Sequence, residues 1–220
     1  MAATPDDLDL PITSYALLGQ LALRSWSVYE MTKHFGRTLH WFWPRAESAL
    51  YAEIKRLATL GLVRARRRPG RRGRDATVYS ITPQGRRELK RWLGAPSGGF
   101  SFQSEPLLRV HLAPYGTKDD LLHALATARE KTEELLRVGM VVATEFIEGR
   151  HQFQEQAHIR GILFDHLWRL AMAMHTWAEE WTEKVEAWKD IEPTARSVRD
   201  GVAVMRRALE NMPDVRPAER

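Results

Sequence analysis

Residues 13–23, TSYALLGQLAL, are mostly apolar and predict a short helix. In the next stretch, SWSVYEMTKHFGRTL, Ser27 stands three residues before Glu30. That spacing lets the hydroxyl accept from the amide of Glu30 while the carboxylate accepts from the amide of Ser27, so a second helix starts there. Val28, Met31 and Phe35 follow at helical intervals and carry it to about residue 38. A loop with three aromatics, HWFWPRAE, leads into a third helix over about 46–60. Its buried stripe is Leu50, Ile54 and Leu57, and Gly61 ends it. The opposite face carries Arg45, Ser48, Ala52, Lys55 and Thr59, flanked by Tyr51 and Arg56.

The period then changes from helical to two. Val63 and Ala65 alternate with Arg64 and Arg66, and further on Thr77, Tyr79 and Ile81 fall on one side of TVYSIT. These are half-buried strands. The intervening RPGRRGRDA contains Pro69, Gly70 and Gly73, so it is the tip of a hairpin. Thr82 followed by Pro83 reads as an N-cap and first-turn proline, opening a fourth helix that ends at Gly94. Three helices, a two-stranded hairpin and a following helix predict a winged helix-turn-helix over 12–94.

Residues 95–103, within GAPSGGFSFQ, read as a connector, and 104–212 as an all-helical domain, leaving 1–11 and 213–220 as flexible tails. Thr117 and Asp120 suggest a further capping box. Leu121, Leu125, Ala128, Thr132, Leu135, Gly139, Val142 and Phe146 follow at steps of four and three. Leu163, Leu167, Leu170, Met174, Trp177 and Trp181 repeat the pattern, as do Val198, Val202, Met205 and Leu209 after Pro193. Steps of four and three average 3.5, the period of a coiled-coil seam. Such long seams must pair with each other or with a second subunit, so the expectation is a mainly α chain that forms a homodimer.

Charge sharpens this picture. Residues 24–92 hold 17 Lys+Arg against 5 Asp+Glu, while the remainder holds 16 against 23. A basic module joined to an acidic remainder points to a polyanion partner for the module alone. Seven arginines fall within residues 64–74. Arg71, Arg72 and Arg74 sit where a projecting, glycine-containing tip can meet phosphates or enter a minor groove. Arg64, Arg66 and Arg67, on the strand, would supply a general field. Arg45, Ser48, Tyr51, Lys55 and Arg56 form the face expected to meet base edges and backbone in the major groove of double-stranded DNA.

Other chemistry finds little support. With no cysteine there is neither a disulfide framework nor a thiolate metal site. The eight histidines contain no H-E-x-x-H pair, and neither a phosphate loop nor a nucleophile elbow is visible, so no metal, cofactor or catalytic centre is expected. The acidic N-terminus lacks a signal pattern, and Asp165, His166 and Arg169 interrupt the most apolar stretch, so a soluble cytoplasmic, nucleoid-associated protein is expected, with no membrane partner. Trp168, Trp177 and Trp181, with Met174, crowd one predicted helix. Core packing accounts for such aromatics; a pocket for a small, flat aromatic effector is the alternative.

The segments SYALLGQLAL, SVYEM, LYAEIKRLATLGLV and VYSITPQG together resemble the N-terminal domain of the PadR family of bacterial transcriptional regulators, over about residues 14–93. The helical remainder is similar, by length and helicity, to the C-terminal dimerisation region of that family's larger members. The resemblance implies a homodimeric repressor on a palindromic operator, often released by a small effector. Val28 departs from the glycine that often precedes the tyrosine of the second helix. The competing readings are a non-specific architectural DNA binder and an aromatic-pocket ligand binder whose DNA domain is vestigial.

Overall fold

The Ser27 hydroxyl accepts from the Glu30 amide, and the Glu30 carboxylate accepts from the Ser27 amide at 2.7 Å, so the second helix starts where the capping box places it. The computed structural model describes residues 8–39, 46–69, 76–98 and 102–212. It divides into two compact units, Met1–Ser101 and Phe102–Arg220. Expectations for Arg45, for the aromatic loop 40–45, for the wing tip with Arg71, Arg72 and Arg74, and for the outer parts of both tails lie outside the described residues.

The first unit runs α1 (Ile12–Leu23), β1 (Trp26–Ser27), α2 (Val28–Thr38), α3 (Glu47–Thr59), β2 (Val63–Arg68), β3 (Ala76–Ile81) and α4 (Pro83–Leu93). Leu17, Leu18 and Leu21 of α1, Met31 of α2, and Ile54 and Leu57 of α3 are fully buried and form the centre of its core. Gly61, at φ +71°, ends α3 in the left-handed conformation. Its amide bonds to the Ala58 carbonyl at 3.1 Å and the Leu62 amide to the Leu57 carbonyl at 3.0 Å, which is a Schellman cap.

The sheet is three-stranded and antiparallel, in the order β1-β3-β2. The expected hairpin therefore gains an edge strand: Trp26 pairs with Tyr79 and Ser27 with Val78. Two residues are too few to show periodicity, and the strand runs straight into the helix cap. On the sheet's inner side Trp26, Val63 and Tyr79 are buried, whereas Ala65 and Thr77 are exposed. The expected alternation thus holds only at the base of the hairpin, because farther out the strands leave the helices that would cover them.

α4 begins where Thr82 accepts the Gly85 amide at 3.1 Å, while the Thr82 hydroxyl lies 2.8 Å from the Gly61 carbonyl. Thr82 thereby ties the start of α4 to the end of α3. A Cβ on Gly85 would stand 2.2 Å from the Leu62 carbonyl oxygen, so the chain can pass there only as glycine.

The second unit contains α5 (Glu105–Leu112), α6 (Lys118–Ile147), α7 (Ala157–Glu186) and α8 (Ala195–Glu210). The Thr117–Asp120 capping box forms and starts α6. α6 and α7 have 30 residues each, about 45 Å of helix, and pack antiparallel. Lys118 at the start of α6 donates to the Glu186 carbonyl at the end of α7, 2.8 Å away. On α6 the expected seam is the packed face: Leu121, Leu125, Ala128 and Thr132 are buried and the rest half-buried.

On α7 the seam differs from the expected one. Ala171, Ala178 and Val185 are the buried positions, whereas Leu167, Leu170, Met174, Trp177 and Trp181 are half-buried and Leu163 is exposed. The heptad is present but centred one residue along. Alanines let the helices approach closely, while the larger residues seal the edges of the contact. Trp168 lies over Gly139 of α6, which leaves room for the indole. Along α8, Val198, Val202, Met205 and Leu209 all face solvent.

Candidate nucleic-acid interface

α3 presents Ser48, Tyr51, Ala52, Lys55, Arg56 and Thr59 on its exposed side, directly opposite the buried Leu50, Ile54 and Leu57. Apart from Tyr51 and Arg56 the face is slim, as insertion into a major groove requires. Ser48 and Lys55, like Tyr51, are open to solvent.

Arg56 is exposed but engaged. Its guanidinium donates to both carboxylate oxygens of Glu53, at 2.9 and 2.8 Å, and to the Ser14 hydroxyl at 3.1 Å. Ser14 also donates to Glu53. α1 is thereby bolted to α3, and the rotation of α3 about its own axis is held from behind. Although burial pushes the Glu53 carboxyl upward, the bonds from Arg56 and Ser14 with the Arg56 charge outweigh it, leaving it below the usual carboxylate range.

The neighbouring residue on α1 repeats the device toward α4. The Tyr15 hydroxyl donates to Glu88 at 2.9 Å, and Arg91 donates to both Glu88 oxygens at 2.9 and 2.6 Å. The Trp92 ring stacks on Tyr15 at 4.6 Å. Burial, with Glu88 beside it, pushes the Tyr15 phenol up to about 12, and the bond from Arg91 holds Glu88 low. A third acid, Glu30, is held low first by the Ser27 amide, and Arg68 lies 3.4 Å from it.

These pairings determine the electrostatics of the unit. Glu30, Glu53 and Glu88, three of its few acids, are each committed to an arginine and to fixing an element in place. The cations beyond those pairs dominate the surface field, so it favours a polyanion.

Tyr29 and Lys33 of α2 escaped the sequence reading. Tyr29 is exposed, and the Lys33 ammonium sits 4.7 Å above its ring. The spacing of four on a helix was the available signal. The proposed effector residues fall in two surroundings. Trp177 and Trp181 pack against the cluster of Ala113, Leu121, Leu125 and Val185, whereas Trp168 stacks with Phe164 beside Gly139.

The fold and this surface meet a known family. Residues 17–91 match the model of the Transcriptional regulator PadR-like family. They form a PadR-like domain. Over 82 residues the chain is 32% identical to the negative transcriptional regulator PadR of Bacillus subtilis, a match covering 37% of this chain and 45% of that protein. The chain thus aligns with less than half the length of that relative. The structure of Bacillus subtilis PadR in complex with operator DNA superposes with a TM-score of 0.66 at 19% identity, covering 80% of this chain and 99% of that one. The same protein in complex with p-coumaric acid superposes with a TM-score of 0.59 at 19% identity, covering 80% and 99%. Identities this low make the two superpositions statements about fold, and the fold extends beyond the PadR-like domain into the helical unit. Among the described residues no helix is long and apolar enough to cross a membrane.

Proposed function

We propose that the chain is a sequence-specific DNA-binding transcriptional regulator, a repressor that grips a palindromic operator as a homodimer. The observation that carries this reading is the solvent face of α3, where Ser48, Tyr51 and Lys55 stand open while Glu53 on the same helix is occupied by Arg56 and Ser14. Glu53 lies on the flank of α3 toward α1, where Arg56 and Ser14 occupy its carboxylate, so its charge is not offered to a polyanion at the open face. Ser48 and Lys55 would meet base edges, with Arg45 near the start of the helix. Arg71, Arg72 and Arg74 at the wing tip would grip phosphates or the minor groove. The PadR-like match and the operator complex of Bacillus subtilis PadR support the same reading.

Sequence-specific and architectural binding give different outcomes in one experiment. The full chain is used to select duplexes from a random pool, and the enriched fragments are sequenced. A regulator enriches an inverted repeat with half-sites about 10 base pairs apart. Binding without enrichment would make the protein architectural.

A small aromatic acid is the proposed effector class, supported by the p-coumaric acid complex of Bacillus subtilis PadR. Trp168 and Trp177 are nine residues apart on α7, about 13 Å, so a ligand of that size meets one group or the other. Met174 and Trp177, half-buried neighbours, are the favoured contacts, with Trp181 next along the helix. Tryptophan fluorescence titrated with p-coumaric acid tests this. Absence of quenching at millimolar ligand would leave these side chains as core alone.

A further inference from the structure

The inner side of β2 is accounted for by Val63 and by the approach to Tyr79; the outer side is not. In the register of the sheet, Arg64 lies opposite Ser80, Arg66 opposite Val78 and Arg68 opposite Ala76. Ser27 completes that side on β1, across from Val78. All of Arg64, Arg66 and Arg68 are exposed. The outer side of the sheet is therefore a shelf, with a row of arginines along one strand and small residues along the next.

Alternate residues of a strand stand about 6.6 Å apart, so the backbone positions of the three arginines repeat at that interval. Arg68 is held at one end by Glu30, 3.4 Å away. Because β3 lies between β2 and β1, and Glu30 follows β1, the Arg68 side chain crosses β3 to reach it. The small side chains of the shelf are what permit an extended arginine to lie there. Arg64 and Arg66 make no ion pair or hydrogen bond with another described residue. Two like charges on one strand side, with no acid between them, are unfavourable to the isolated protein and favourable to a partner carrying a regular row of negative charge.

We propose that Arg64 and Arg66, on the outer side of the wing's stem, bind backbone phosphates of double-stranded DNA directly, forming a second phosphate track apart from the wing tip and α3. Along the backbone of one strand neighbouring phosphates stand at a comparable interval, so arginines about 6.6 Å apart meet adjacent phosphates when β2 follows the backbone. The proposal rests on the DNA-binding reading above and adds a location to it. Arg67, on the opposite side of β2, is also exposed and carries the same charge, so it is the natural control. A general field treats all three arginines alike, whereas a phosphate track distinguishes them by side.

The test measures the dissociation constant of the full-length protein for a random-sequence duplex of about three helical turns, across a range of salt concentrations. The variants are Arg64→Ala, Arg66→Ala, Arg67→Ala and, as a reference on α3, Lys55→Ala. The expected result is that Arg64→Ala and Arg66→Ala each lower the slope of log K against log salt by about 0.9, and the double variant by about 1.8, while Arg67→Ala changes it little. Thermal melting of each variant, expected to be unchanged for these exposed side chains, separates lost contacts from lost folding. Equal effects from all three arginines would reduce the stem to a field and overturn the proposal. Unchanged slopes for Arg64→Ala and Arg66→Ala alongside a loss for Lys55→Ala would overturn it too, leaving the DNA-binding reading intact. Failure of the unmodified protein to bind any duplex would remove both.

Discussion

Gly85 has room for a hydrogen and nothing larger. A methyl group there would press on the Leu62 carbonyl, which belongs to the cap of α3 and cannot swing aside as a side chain does. Gly85→Ala is expected to cost about 3 kcal/mol, the upper part of the range for overpacking. Gly19, inside α1 with open space around its Cα, gives the opposite sign: Gly19→Ala should stabilise by about 0.5–1 kcal/mol. Urea midpoints of the two variants check both. The glutamates make a prediction in pH. Glu30, Glu53 and Glu88 all have carboxyls held below their ordinary value in the folded state. An unfolded glutamate titrates near ~4.3, so the stability they contribute is complete above that pH and is lost as pH falls through the lower folded values. Glu88→Gln should therefore be less stable at neutral pH by about 1–3 kcal/mol and should show a flatter acid limb, read from melting temperatures between about pH 3 and pH 7. An acid limb as steep as that of the unmodified protein would mean that Glu88 does not carry this charge-dependent stability.

At the scale of the element, α3 combines two roles that its side chains divide between them. Ser48→Ala and Lys55→Ala should weaken discrimination between bases by about 1–3 kcal/mol if they meet base edges, with little change in stability. Arg56→Ala should lower stability as well, because it frees the part-buried Glu53 and loosens α1 from α3. Comparing melting curves with binding curves for the three variants tells positioning from reading. Arg56 also shows where sequence pattern runs out. Its place on the flank of the outer face follows from spacing alone, but its tie to Ser14, 42 residues away, is tertiary and leaves no local signal. Capping residues were legible for the opposite reason: Ser27 with Glu30, Thr82 with Gly85 and Thr117 with Asp120 are complete within four residues. α7 lies between these cases. The four-three repeat was visible, but large side chains drew the seam through Met174 and Trp177, whereas Ala171 and Ala178 make the closest contact. Helix packing rewards small residues where backbones approach, and no ranking by hydrophobicity conveys that. β1 was invisible because pairing with β3 makes it a strand, not its own two residues.

On the scale of the whole molecule, the unevenness of charge has its counterpart in an unevenness of cover. The first unit gathers large aliphatic residues of α1, α2 and α3 into a buried core and carries the basic excess, while the second leaves long apolar stripes in water. Val198, Val202, Met205 and Leu209 run along one side of α8, and Ile159 and Ile162 of α7 are likewise exposed. At roughly 25 cal/mol per Å² of apolar surface, leaving such stripes bare forfeits several kcal/mol that a second copy of the chain can recover. Two chains so joined would bring two α3 helices to one duplex, and half-sites one turn, about 34 Å, apart would follow. The expected outcome is a dimer of the intact protein at micromolar concentration by sedimentation. Val202→Asp with Met205→Asp, two exposed positions of α8, should shift it toward monomer without lowering the melting temperature of the first unit. The same double variant should weaken binding to a two-half-site duplex much more than to a single half-site, since only the former needs both chains at once. If it remains dimeric and binds both duplexes as before, the exposed stripe of α8 is not where two copies meet.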